Sequence, residues 1–318
     1  MQYSTWSPTR PTSTGATAYH DAVVNTSWHK KNINGLIKIA KEKIKSNDII
    51  VDFGAGTGAS AIYVLKHLED GVKLFLVDNS PSWLGKAHEI LHENKSVAFF
   101  LLGKKENRYM TLDEVIGKNT ADHIISVNTV HLIPTIDETF NGIYGALKKG
   151  GTFIFQSGNI AHTKKEDGIL MIDDSIDSIH DRGIEIIRTD KRFAPYKKGL
   201  DKRIAEEDSQ RKFIFPTPRP IEFYLQVLKS VGFENITMTR KRIKVRYEDW
   251  LNFLKVRRLQ AGILPEVGGK DASEQEEKDR DAIITKAALQ LFKTLKKQNP
   301  LANATSFTAE WTYVYAEK

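Results

Sequence analysis

Apolar and polar positions along the chain follow two alternating periods. Short apolar runs of strand length cover residues 49–53, 72–78, 97–102, 122–128 and 152–156. Between them, apolar residues recur three and four apart. Ile62, Leu65 and Leu68 follow Ala59, a second stretch runs over 82–91 behind Ser80, and a third carries Ile136, Phe140, Ile143 and Leu147 before Gly150 and Gly151 stop it. Strands alternating with helices predict a parallel sheet covered on both faces, with ligands bound beyond the carboxyl ends of its strands. Gly54, Asp78, Gly103 and Asn128 all fall at those ends.

The flanking segments read differently. Residues 1–17, rich in Ser, Thr and Pro, predict an irregular arm, and the spacing from Tyr19 to Ala40 predicts one or two helices after it. Beyond the fifth strand, Leu170, Ile172, Ile176 and Ile179 mark a helix inside a long insertion. A helix over 220–231 ends at Gly232, an alternating run over 236–247 predicts a sixth strand, and 248–259 predicts a helix. Ser273 and Glu276 form a capping-box pattern at the start of the next helix, and alternation over 306–316 predicts a last strand. The expected organisation is an N-terminal helical arm or lid (1–45), a core (46–157), a lid insertion (158–215), core completion (216–247), a helical insertion (248–305) and a final core strand (306–318).

Composition narrows the chemistry. With no cysteine among 318 residues, disulfides, thiolate metal sites and cysteine nucleophiles are excluded, and a cytoplasmic setting is expected. The first residues lack the apolar centre of a signal peptide, and no run approaches a membrane span. The net charge of +7 is uneven. Residues 188–219 hold ten Lys/Arg against five Asp/Glu, and 240–258 hold eight against two. Those windows therefore supply more than the whole excess, while the glycine-loop region is not basic.

The central motif is Val51-Asp52-Phe53-Gly54-Ala55-Gly56-Thr57-Gly58. Three alternate glycines after a strand let a ligand lie against the main chain, at the amino end of the following helix. Read as Gly54-x-Gly56-x-x-Ala59 with Asp78 some twenty residues on, the loop also satisfies a permissive dinucleotide fingerprint, so an NAD(P)-dependent oxidoreductase stays open on this loop alone.

The order of four motifs goes further. The glycine loop, then Leu76-Val77-Asp78, then Asp122 to Pro134 with Asn128 and His131, then Gly150-Gly151-Thr152-Phe153 resembles the class I S-adenosylmethionine-dependent methyltransferases, of the small-molecule type related to the broad type 11/12 group. The resemblance covers about residues 46–157, and the predicted sixth and seventh strands suit it. It implies a doubly wound α/β sheet of seven strands, mostly parallel with an antiparallel last strand, a Rossmann-like fold with helical lid insertions. By resemblance, Gly54, Ala55 and Gly56 lie against the methionine and ribose parts of S-adenosylmethionine. Asp78 holds the ribose hydroxyls, Asn79 lies beside the adenine, Asp52 supports the loop and the cofactor's amino end, and Asn128 faces the methionine part or the substrate. Many relatives have Gly-Asp after the third strand; here Gly103 precedes Lys104, which leaves the adenine contact to another group.

Methyl transfer from a sulfonium is an in-line displacement, so the protein mainly aligns donor and acceptor and excludes water. A hydroxyl acceptor would also need a general base. His131 is the candidate base, against the competing reading of a buried histidine that shapes the pocket. Tyr19 is a candidate cover for the cofactor and His20 a candidate substrate contact. Trp250, Phe253, Leu254 and Arg257 share helical spacing, and Trp250, Arg257 and Arg219, the last between two prolines, are candidate contacts for a small, anionic substrate. The alternatives are an RNA or other nucleic-acid methyltransferase using the basic windows, and a non-catalytic binding protein on the same fold.

Overall fold

In this computed structural model, the described residues are 5–67, 71–164, 166–298 and 305–318. The chain divides into two compact units. The first comprises residues 1–160, 219–241 and 311–318, and the second 161–218 and 242–310.

The first unit is built on the apolar runs. They form β1 (Ile49–Phe53), β2 (Lys73–Asp78), β3 (Val97–Leu101), β4 (Ala121–Val127) and β5 (Leu147–Ser157), joined by β6 (Glu234–Arg246) up to residue 241 and by β7 (Ser306–Glu317) from residue 311. The order across the sheet is β6-β7-β5-β4-β1-β2-β3. The pairs β1–β2, β1–β4, β2–β3 and β4–β5 are parallel, and β7 is antiparallel to β5, with Tyr313 opposite Gln156. This is the expected doubly wound arrangement, with its chain reversal between β1 and β4 opening a crevice at their carboxyl ends.

Each face of the sheet buries its own row. Val51, Phe53, Ile124, Phe153 and Phe155 pack under helices Ile136–Ala146 and Ile221–Val231, where Phe140 meets Phe153 edge-on with centroids 5.3 Å apart. Alternation sends Asp52, Ile125, Ile154 and Gln156 to the opposite face. Helix Ser27–Lys41 packs there, and Tyr313 donates from its hydroxyl to Asn32. Helix Thr14–Val24 precedes it, capped by Ser13 Oγ accepting from Ala16 N at 3.2 Å. The helix after the glycine loop is short, Ala61–Leu65; the expected Leu68 lies outside the described residues.

The second unit is mostly helical: Ile172–Thr189, Leu200–Ile214, Tyr247–Leu254, Arg257–Ile263 and Glu274–Gln298, with a two-residue strand, Ile169–Leu170, parallel to Thr308–Ala309. Ser273 Oγ accepts from Glu276 N, and Glu276 accepts from Ser273 N at 2.8 Å, completing the expected capping box. One expectation fails. The helix expected over 248–259 ends at Leu254, and Val256 is extended (φ −66°, ψ 116°) before a new helix begins at Arg257. The stripe linking Trp250 to Arg257 therefore does not exist. None of the described helices is long and apolar enough to cross a membrane.

Candidate active site

The glycine turn is tied down on three sides. Gly54 N and Ala55 N both donate to Val77 O, at 2.8 and 3.0 Å, and Gly56 N donates to Asp78 Oδ2 at 2.8 Å. Asp78 Oδ1 accepts from Ser80 N at 2.8 Å, so the acid ending β2 joins the loop to the next helix. Gly54 and Gly56 have φ of +74° and +54°, and their half-buried backbone forms a surface at the crevice. A side chain at Gly54 would collide with Thr129, whose hydroxyl donates to Gly54 O at 3.1 Å. Ala55 is buried and its carbonyl accepts from Gly58 N.

The arm covers this turn from above. His20 Nδ1 lies 3.2 Å from both the carbonyl and the hydroxyl oxygen of Thr57, and its burial pushes its pKa down. Half-buried Tyr19 packs on Trp83, centroids 4.4 Å apart, and the Trp83 ring lies 3.2 Å from where a Cβ of Gly56 would stand. The sequence pattern assigns no contact to Trp83, Thr57 or Thr129, although Thr57 lies in the glycine motif and Trp83 stands at the first turn of the helix that Ser80 caps. Asn79 is exposed at the end of β2, and Lys104 is exposed in a short hairpin, its ammonium over the Tyr109 ring at 5.4 Å.

Asp52 sits beneath the turn, fully buried. Its Oδ2 accepts from Ser60 Oγ at 3.2 Å, while Oδ1 has no partner among the described residues. Desolvation, aided by the charge of Asp78, raises its pKa to about 7. An acid with one unused oxygen in such surroundings is set to meet a cationic group.

At the end of β4, Asn128 adopts φ of +51°, and its Oδ1 accepts from Trp311 Nε1 at 3.1 Å and Gly158 N at 3.4 Å. His131 follows in a short 3₁₀ turn, Val130–Leu132. Burial, with the nearby charge of Arg219, lowers its pKa to about 3, and its Nδ1 lies 2.9 Å from Ser157 Oγ. Arg219 donates to Ile133 O and, at 3.5 Å, to His131 O, and stacks over Phe223 and Tyr224. Among the described residues it meets no carboxylate, and its Nη1 is buried without a partner.

The comparisons with known proteins bear on this geometry. A family model described as a methyltransferase domain matches residues 51–153, the stretch holding the glycine turn, Asp78, Asn128 and His131. That stretch is a methyltransferase domain of the class I, S-adenosylmethionine-dependent type. Carboxy-S-adenosyl-L-methionine synthase of Nautilia profundicola is 24% identical over 220 residues, which are 68% of this methyltransferase and 83% of that protein. Phosphoethanolamine N-methyltransferase 2 of Caenorhabditis elegans is 31% identical over 120 residues, 36% of this chain and 25% of that one. The structure of phosphoethanolamine N-methyltransferase 2 of Haemonchus contortus, in complex with phosphomonomethylethanolamine and S-adenosylhomocysteine, superposes with a TM-score of 0.51 at 20% identity. It is covered over 57% of its chain, for 96% of this one. The [4+2]-cyclase SpnF superposes at 0.50 and 13%, over 98% of its chain and 97% of this one. Likenesses at such identity bear on the fold, and the two proteins differ in their chemistry.

Two expected substrate contacts of this methyltransferase lie in its second unit. Trp250 is fully buried there, stacked on Phe253 at 4.9 Å and edge-on to Phe307. Arg257 is largely exposed and paired with Glu277 at 3.1 Å. Trp250 is thus a core side chain of that unit. Arg257 starts a separate helix, turned away from the Trp250 stripe by the break at Lys255 and Val256.

Proposed function

We propose that the chain transfers a methyl group from S-adenosylmethionine to a small molecule bearing an anionic group, held by Arg219. The residues present suit the cofactor. Gly54 and Gly56 offer bare backbone, Asp78 has further lone pairs for ribose hydroxyls, and the unused Oδ1 of Asp52 suits the ammonium of the methionine end. Tyr19 and Trp83 form an aromatic cover on the Gly56 side. When bound, the cofactor supplies an activated methyl on a sulfonium. The protein's own share is alignment and the exclusion of water.

The observation that carries the anionic acceptor is the isolation of Arg219. A guanidinium that is partly buried, bonded among the described residues only to carbonyl oxygens and stacked on two aromatic rings, leaves its charge uncompensated, and an incoming carboxylate or phosphate restores the balance. His131 then serves as a neutral wall and hydrogen-bond donor beside the acceptor; a pKa near 3 suits it poorly to general-base work at neutral pH. The test is Arg219→Met, assayed against a panel of small acids and phosphomonoesters with S-adenosylmethionine. Acceptor KM should rise about tenfold or more at unchanged S-adenosylhomocysteine affinity; an unchanged KM removes Arg219 from the reading.

The Nautilia relative, matched over 83% of its length, favours a second reading, in which S-adenosylmethionine is itself modified. Mass spectrometry of the nucleoside product separates the two. S-adenosylhomocysteine supports methyl transfer, whereas a heavier carboxylated nucleoside supports a synthase.

A further inference from the structure

Beneath helix Ser27–Lys41 lies a buried group of uncharged polar side chains that the methyl-transfer reading does not use. Gln156, the next-to-last residue of β5, is wholly buried, and among the described residues neither its Oε1 nor its Nε2 has a partner. Its neighbour across the strand pair is Tyr313, with side chains on the same face. The Tyr313 hydroxyl donates to Asn32 Oδ1 at 2.7 Å, which turns the Asn32 amide nitrogen away from it, and that nitrogen is also buried without a partner. His29, one turn earlier on the same helix, presents two ring nitrogens with no hydrogen bond of good geometry; the Ala59 backbone lies near one side of it. Gly35, one turn later, lets the helix come this close, because a Cβ there would stand 2.7 Å from the Tyr313 hydroxyl.

Such groups are not left unmet without a reason, since each forfeits its hydration on folding. Their chemistry defines what would satisfy them. The two carboxamides offer four N–H donors and one carbonyl acceptor, with no charge. They lie on the crevice-facing half of the sheet: Val127, the β4 partner of Gln156, immediately precedes Asn128, and Trp311, two residues before Tyr313, donates to Asn128.

We propose that Gln156 and Asn32 form a substrate-recognition site for a neutral group that both accepts and donates hydrogen bonds, such as a carboxamide or lactam. The proposal rests on the reading that the chain transfers a methyl group to a small acceptor held by Arg219 beside His131. The site selects by requirement: a substrate lacking the carbonyl and its adjacent N–H leaves both carboxamides unmet, and pays for it in affinity.

The experiment is a set of crystals of the S-adenosylhomocysteine complex soaked in acetamide or in acetate, for the wild type and for Gln156→Leu. Acetamide bonded to Gln156 and Asn32 in the wild type, absent from Gln156→Leu and not replaced by acetate, is the expected result. If S-adenosylhomocysteine binds the glycine turn but its own atoms occupy Gln156 and Asn32, or acetamide does not enter, the recognition site is overturned while the cofactor reading stands. If S-adenosylhomocysteine does not bind at all, the functional reading fails first. In solution, Gln156→Leu should reduce the acetamide-induced NMR shift of the Asn32 side-chain amide about tenfold at fixed concentration; an unchanged shift also overturns the site.

Discussion

Ser157 Oγ stands 2.9 Å from His131 Nδ1, and Asn159 N donates to the same oxygen at 2.9 Å. With no other acceptor for it among the described residues, the serine proton points to Nδ1. His131 is thereby fixed with its proton on Nε2, as a donor. We expect His131→Gln, which retains an N–H donor, to keep most of the activity. His131→Leu should lose about tenfold to a hundredfold, the range for one hydrogen bond in a site. The rate measured from pH 6 to 9 decides the role. A proton-transfer limb in the wild type that vanishes in His131→Gln would make His131 the base.

Asp52 gives the fold a pH dependence of unusual sign. Its folded pKa of about 7 lies above the ordinary value of 3.8, so the folded state holds the proton more tightly than the unfolded state does. Stability is then unaffected by this group below about pH 4 and falls as pH rises through 7, by on the order of 4 kcal/mol. Asp52→Asn should flatten that decline in denaturant titrations at pH 5 and 8. A cationic ligand group reverses the preference, so S-adenosylhomocysteine affinity should rise between pH 6 and 8 in the wild type and not in Asp52→Asn. Calorimetry at the two pH values checks this, with S-adenosylhomocysteine supplying the ammonium.

Gly54 and Gly56 both have positive φ, yet their substitutions should differ. A Cβ at Gly54 would lie 2.2 Å from Thr129 Cγ2, whereas at Gly56 it would lie 3.2 Å from the Trp83 ring. Gly54→Ala combines backbone strain with a hard collision and should cost about 3 kcal/mol or more; Gly56→Ala should cost about 1–2. Adding Thr129→Gly to Gly54→Ala should restore part of the loss by removing the colliding atoms. Thermal unfolding of the three variants measures this, and equal losses for both alanines would contradict the packing seen here.

These residues also show what could be read beforehand. The strands carrying Asp52, Asp78 and Asn128 were legible because buried parallel strands need unbroken apolar runs, and a glycine turn must follow one of them. The partners of the site residues were not. Ser157 and His131 are 26 positions apart, and only the β4–β5 register brings them together. Gln156 closes the strand predicted over 152–156, and its burial depends on a helix more than a hundred residues earlier. The break after Leu254 leaves no glycine or proline in the sequence, so periodicity carried the helix through it.

That break yields the last prediction, for Trp250 and Arg257. Trp250 is fully buried against Phe253 and Phe307, and Trp250→Ala leaves a cavity that the neighbouring rings cannot close. The loss should be about 3–5 kcal/mol, with Trp250→Phe less severe. Arg257 is largely exposed, and its pair with Glu277 is screened by water, so Arg257→Ala should change stability by less than about 0.5 kcal/mol. Neither should alter S-adenosylhomocysteine affinity in protein that remains folded. Denaturant unfolding followed by tryptophan fluorescence, alongside calorimetry, separates the effects. A large rise in acceptor KM for Arg257→Ala at unchanged stability would return Arg257 to the substrate, and the surface position would then have to be reconsidered.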